Sequence, residues 1–158
     1  MNKKLKIFVY GSLREGFFNY DLYLKGKINS IRPAEISGFE LYHMPYKGYP
    51  AVLPGKNTIV GEVVELINYD STLKPMDEME GFLGEGNPNN EYSRKIVKVK
   101  LTDDESFEDC YSYFYNKDID TKFQDEAIYI ENGDWKEYML KKMKELKVKE
   151  LKVKELKV

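Results

Sequence analysis

Glu91-Tyr92-Ser93-Arg94-Lys95-Ile96-Val97-Lys98-Val99-Lys100-Leu101, then Thr102-Asp103-Asp104-Glu105, then Phe107 to Tyr115, is the stretch on which the fold turns. Ile96, Lys98 and Lys100 alternate with Val97, Val99 and Leu101, the period of a half-buried strand. Tyr111, Tyr113 and Tyr115 share one face of the following stretch at the same period. The short acidic turn between them predicts an antiparallel hairpin.

Outward from this hairpin the chain stays rich in strands. Residues 34–43, 49–53 and 58–66 read as strands, punctuated by Gly38, Gly48, Pro54-Gly55 and Gly61. Leu5 to Tyr10 is a β-rich run stopped by Gly11-Ser12. Phe17 to Leu24 reads as a short helix or an irregular turn that packs its aromatics. Two helices are predicted, one around 70–80 and one from 134 to about 146. Asp134 with Glu137 three residues on makes a capping box, and Trp135, Tyr138, Met139, Met143 and Leu146 then follow helical spacing. Many strands with few, short helices place the chain in the α+β class.

The chain of 158 residues is one domain's length, 42% apolar and 33% charged, with 13 Tyr and 8 Phe. That aromatic mass suits a sizeable core and not a disordered chain. No apolar run approaches the ~20 residues that span a bilayer, and none after Lys3-Lys4 is long enough for a signal peptide. One cysteine, Cys110, leaves no internal disulfide and suits a reducing cytoplasm; one histidine, His43, leaves no multi-histidine metal site. The net charge of −2 hides an asymmetry: residues 141–158 carry eight Lys and three Glu, and the 140 residues before them hold more acidic than basic side chains. An acidic body argues against nucleic acid as the main partner. From Lys144 the chain repeats Lys-Glu-Leu-Lys-Val three times. Each five-residue step turns a helix by about 140°, so the repeat builds no single face. Residues 147–158 are therefore expected to be a frayed helical or disordered low-complexity extension of a domain spanning 1–146.

Two segments carry candidate chemistry. Tyr10-Gly11-Ser12-Leu13 ends the first strand, and such a step forms either a plain turn or a nest of outward N–H groups that takes an anion. The second is Asp77-Glu78-Met79-Glu80-Gly81-Phe82. Pro75 suits the first turn of a short helix, and Gly81 suits the position just past its end. Glu80 lies four residues after Met76, on the inward face, while Glu78 points away. Glu80 reads either as a surface residue or as a carboxyl desolvated at the negative end of a helix dipole. The second setting favours the protonated form and suits general acid–base work near neutral pH. Asp77 and Glu80 alone make a poor metal pair.

Val9-Tyr10-Gly11-Ser12-Leu13-Arg14-Glu15-Gly16, with Asn19 beyond, resembles the N-terminal signature of the gamma-glutamylcyclotransferase-like superfamily, closest to its gamma-glutamylamine cyclotransferase and AIG2-like branch. The resemblance runs in order through Gly48-Tyr49-Pro50-Ala51, Gly61-Glu62-Val63, Asp77 to Glu80, and Tyr92-Ser93-Arg94, over roughly residues 5–116. Met76 where Leu is usual, Pro75 inside the helix and the loop Leu83 to Asn90 depart from the pattern. The resemblance implies a mixed, partly closed β-barrel of about six strands with short flanking helices. It also implies release of 5-oxoproline from a γ-glutamylamine or related γ-glutamyl amide by attack of the substrate's own α-amine. Glu80 matches the catalytic glutamate as general acid and base. Tyr10, Gly11, Ser12 and Leu13 match the substrate-binding backbone, and Tyr92 matches a pocket position. Tyr113 or Tyr115 adds a pocket wall or packs in the core. No cofactor, metal, membrane or nucleic acid is implied, and a cytoplasmic monomer is. The alternative is a non-catalytic protein on the same scaffold that binds a small acidic metabolite; a third reading is an interaction role through the tail.

Overall fold

A computed structural model of the chain describes residues 4–156. Along these residues run β1 (Ile7–Val9), α1 (Phe18–Tyr23), β2 (Ile28–Met44), β3 (Tyr49–Leu66), α2 (Tyr69–Met79), β4 (Tyr92–Leu101), β5 (Ser106–Tyr115), α3 (Phe123–Glu126), β6 (Ile128–Tyr129) and α4 (Trp135–Leu156). The sheet order is β3-β1-β5-β4-β2-β6, and β2 pairs back onto β3. Hydrogen bonds thus run round a ring of five strands, with β6 added at the edge of β2. This is the mixed, partly closed barrel that the resemblance implies. Its seams are uneven. β2 and β3 pair along nearly their whole length and β4 and β5 from Tyr92↔Tyr115 to Leu101↔Ser106. β2 meets β4 only at Ala34↔Leu101 and Glu35↔Lys100, and β1 meets β5, in parallel, at Ile7↔Tyr111.

β1 is short, yet it anchors the ring because both its faces are covered, which is why its sequence is a continuous apolar run. Ile7 and Val9 enter a core with Tyr20 and Leu24 near α1 and with Leu73 and Met76 of α2. Phe8 and Tyr10 enter a second core with Ala34, Ile59, Val99 and Cys110, closed by Trp135 at the start of α4. Phe8 is fully buried, a burial that contributes about 1.5–3 kcal/mol. The hairpin keeps the faces its alternation predicts. Val99 and Leu101 are buried in the second core, Tyr113 and Tyr115 in the first, and Ile96 faces solvent.

Several expectations need correcting. Residues 49–53 and 58–66 are one strand, β3. Pro54-Gly55 does not end it, because Gly38 at φ +92° on β2 faces an irregular stretch where Phe39 pairs with both Pro54 and Asn57. The hairpin bends there and continues. β2 begins six residues earlier than expected, since its first part needs only β3 as a neighbour. Pro75 is not in a first turn: α2 starts at Tyr69, so Pro75 sits in its interior and leaves the Ser71 carbonyl without its usual donor. The capping box at α4 is half made. The Asp134 carboxylate accepts from Glu137 N–H at 3.0 Å, while the Asp134 N–H donates to Asn132. α4 continues through the repeats to Leu156, with Leu146, Val148, Leu151 and Val153 all exposed; residues 157 and 158 of the tail lie outside those described. Among the described residues no helix is long and apolar enough to cross a membrane.

Candidate active site

Where β1 ends, the chain turns sharply. Arg14 N–H donates to the Gly11 carbonyl at 3.0 Å, Tyr20 N–H donates to the Ser12 carbonyl at 3.2 Å, and Ser12 Oγ accepts from Asn19 Nδ2 at 2.8 Å. The far side of the turn is clamped by Arg14. Its buried guanidinium pairs with Glu62 of β3 at 3.2 Å and with Asp134 at 3.0 Å, and Glu62 also accepts the Glu15 N–H. No carbonyl of the described residues accepts the N–H of Ser12 or Leu13. The turn is thus held from outside while two donors stay available, the arrangement of an anion-binding nest. Glycine is required at its apex: a Cβ on Gly11 would stand 2.6 Å from Pro50 Cγ at the start of β3.

Facing this turn is the end of α2. Gly81, at φ +68°, donates its N–H to the Glu78 carbonyl at 3.1 Å, and Phe82 donates to Asp77 at 2.9 Å. This pair of bonds is a Schellman ending, and it makes Glu80 the last residue of the helical path. Met76 is fully buried, Glu80 half-buried and Glu78 exposed, as their spacing predicts. The Glu80 carbonyl accepts the Tyr92 N–H at 3.1 Å, and Gly81 accepts from Glu91 at 3.1 Å, so the helix end is tied to the entry of β4. Asp77 adds a second tie. It forms an ion pair with Arg94 and accepts the Tyr113 hydroxyl at 2.7 Å, and Arg94 stacks against Phe82 and Tyr111.

Turn and helix end line one cavity of about 550 Å³, its open mouth included. Tyr10, Gly11, Ser12 and Leu13 form one side, Met79 and Glu80 another; Tyr92, Tyr113, Tyr49 and Pro50 close it, and Glu91 stands at the rim. The tyrosine hydroxyls are committed to the scaffold. Tyr92 donates to the Pro50 carbonyl and Tyr10 to the Tyr113 carbonyl, so both present ring surface to the cavity. Burial foremost pushes both phenols well above their usual range, with the charge of Glu80 adding to it in each, so they stay neutral. Burial, then the charges of Glu91 and Asp77, push the Glu80 carboxyl up to about 8. Such a group holds a proton at neutral pH and releases it when a cation arrives.

All the residues singled out in the sequence, Tyr10 to Leu13, Glu80 and Tyr92, are brought to this one cavity. Tyr113 lines it, whereas Tyr115 turns its hydroxyl to Asp120 at 2.6 Å. Missed from sequence were Tyr49 and Glu91, joined by a 2.7 Å hydrogen bond across 42 positions. No local period signals such a pair. His43 and Cys110 take no part. His43 Nδ1 accepts from Trp135 Nε1 at 3.0 Å, and burial pushes the Cys110 thiol up to about 12, leaving it unreactive. Among the described residues no three His, Cys, Asp or Glu side chains gather as metal ligands.

Residues 7–137 match the family of gamma-glutamyl cyclotransferase, AIG2-like proteins. The chain belongs to that family. Among relatives of this AIG2-like chain, it is 32% identical over 136 residues to a gamma-L-glutamyl-butirosin B gamma-glutamyl cyclotransferase of Niallia circulans, covering 85% of this chain and 77% of the other. It is 36% identical to a putative gamma-glutamylcyclotransferase of Methanocaldococcus jannaschii, covering 84% and 96%. An AIG2-like protein of Mus musculus has the same fold at TM-score 0.61 and 22% identity, over 80% of this chain and 86% of that one.

Proposed function

We propose that the protein converts a γ-glutamylamine, or a related γ-glutamyl amide, to 5-oxoproline and the free amine, with Glu80 as general acid and base and no cofactor. One observation carries the reading: the Glu80 carboxyl, pushed up to about 8, shares a cavity with the donors of the Tyr10–Leu13 turn. Membership of the family and the two relatives' names support cyclotransfer as the general activity.

The chemistry needs little from the protein. The substrate's α-amine attacks its own γ-carbonyl, so no side-chain nucleophile is used, in keeping with an inert Cys110 and a His43 bound to Trp135. The N–H groups of Ser12 and Leu13 hold the α-carboxylate and fold the glutamyl chain back on itself, which supplies proximity. The Glu80 carboxylate takes a proton from the α-ammonium, and the new C–N bond forms at the γ-carbon. The amide C–N bond then breaks as Glu80 returns the proton to the leaving nitrogen, and the second proton that the α-nitrogen sheds on becoming the lactam N–H passes through the same carboxylate to the freed amine, which leaves as an ammonium. Substrate and products balance without water. Tyr92 walls the folded substrate, and the protein acts as a cytoplasmic monomer whose domain is residues 1–146.

The test is 5-oxoproline release from a panel of γ-glutamyl amines, γ-glutamyl dipeptides and glutathione. Turnover of at least one amide is expected. Ligand binding without turnover across the panel overturns the reading in favour of a metabolite-binding protein on the same scaffold.

A further inference from the structure

Among the described residues the cavity is lined by two carboxylates and by no Lys, Arg or His. Glu80 is used by the proposed chemistry; Glu91 is not. Its backbone is fixed from both sides, by Gly81, whose carbonyl accepts its N–H, and by Asn116, whose N–H donates to its carbonyl at 2.9 Å. Its side chain, 28% exposed, stands at the rim. Two groups hold that side chain, the Tyr49 hydroxyl at 2.7 Å and Lys47 Nζ at 2.9 Å, and both bonds go to Oε2. Oε1 accepts no hydrogen bond from the described residues, so the carboxylate keeps unused acceptor capacity. Lys47 is the one counter-charge, reaching over from the turn between β2 and β3, itself only partly covered.

With the glutamyl α-carboxylate held at the Ser12 and Leu13 N–H groups and the γ-carbonyl at Glu80, as the proposed chemistry has it, the lining left to the leaving amine includes Tyr49 and Glu91. A carboxylate on that amine meets Glu91 with no lining cation to offset the repulsion. A second ammonium there meets a carboxylate with acceptor capacity to spare. We propose that Glu91 selects the leaving group, favouring γ-glutamyl conjugates whose amine carries a further ammonium over neutral and carboxylate-bearing ones. This inference rests on the cyclotransferase reading and adds to it the class of amine and the side chain that recognises it.

Two conjugates of equal length test it, γ-glutamyl-1,4-diaminobutane and γ-glutamyl-n-pentylamine. The wild-type protein should favour the diamine conjugate in kcat/KM by about twofold to fivefold, the usual worth of a partly exposed ion pair. Glu91→Gln should abolish the preference. Because Glu91 also acts on the Glu80 proton, the readout is the ratio between the two substrates, in which any change common to both cancels. Lys47→Gln frees Glu91 of its competitor and should enlarge the ratio, and raised salt should shrink it. Turnover of both conjugates at equal rates, or a preference that survives Glu91→Gln, overturns the inference and leaves the cyclotransferase reading standing. Turnover of neither conjugate overturns the inference, and the cyclotransferase reading falls with it only when the γ-glutamyl dipeptides and glutathione of the panel are also left intact.

Discussion

Replacing Glu80 by Gln keeps shape and an amide but removes the titrating proton, so it separates proton transfer from everything else the cavity does. With the carboxyl at about 8, roughly one site in ten is ionised at pH 7. The free enzyme should therefore show kcat/KM rising with pH to an apparent pKa of about 8. The corresponding limb in kcat should lie lower, because the bound α-ammonium favours the carboxylate. Glu80→Gln should cost about two to four orders of magnitude in kcat and erase both limbs, while KM changes far less. Stability should move the other way. The folded carboxyl binds its proton more tightly than an unfolded one near about 4.3, so the contribution of Glu80 to stability is greatest below that value. It loses about 1.4 kcal/mol per pH unit as pH rises to about 8, with a ceiling of about 5 kcal/mol. The Gln variant lacks this slope. Its melting temperature should match wild type near pH 4 and exceed it increasingly toward pH 8, measured by thermal denaturation beside 5-oxoproline assays. Glu78→Gln, on an exposed position, is the control and should be silent. Near-normal turnover in Glu80→Gln, or a stability gap that ignores pH, refutes the reasoning.

Arg94→Met removes the partner of Asp77, whose charge already raises the Glu80 carboxyl. The acidic limb of kcat/KM should shift to higher pH, and stability should fall by about 1–3 kcal/mol, the cost of an unpaired partly buried carboxylate; an unmoved limb rejects this role. Deletion of residues 147–158 removes side chains that, through Val153, are exposed on α4, so activity and melting temperature should stay close to those of the full chain; loss of turnover would instead assign the repeats to the working domain.

What the sequence determined by itself was local. The hairpin from Tyr92 to Tyr115, the apolar run of β1, the Gly81 ending of α2 and the inward aim of Glu80 follow from alternation, helical spacing and glycine's access to positive φ. The ordered motifs from Val9 to Arg94 pointed to the family whose match runs from 7 to 137. Tertiary structure decided what distance along the chain conceals. Alternation tells which face of a strand is covered and not which strand covers it, so the closure of β2 onto β3 and β4 could not be read. Pro54-Gly55 looked like a strand end because its compensation, Gly38, lies on the partner strand. β6 is two residues long, too short to show a period. The same reason hid Glu91. Its role depends on Tyr49 and Lys47 reaching it from another hairpin, and only the folded ring places those three at one rim.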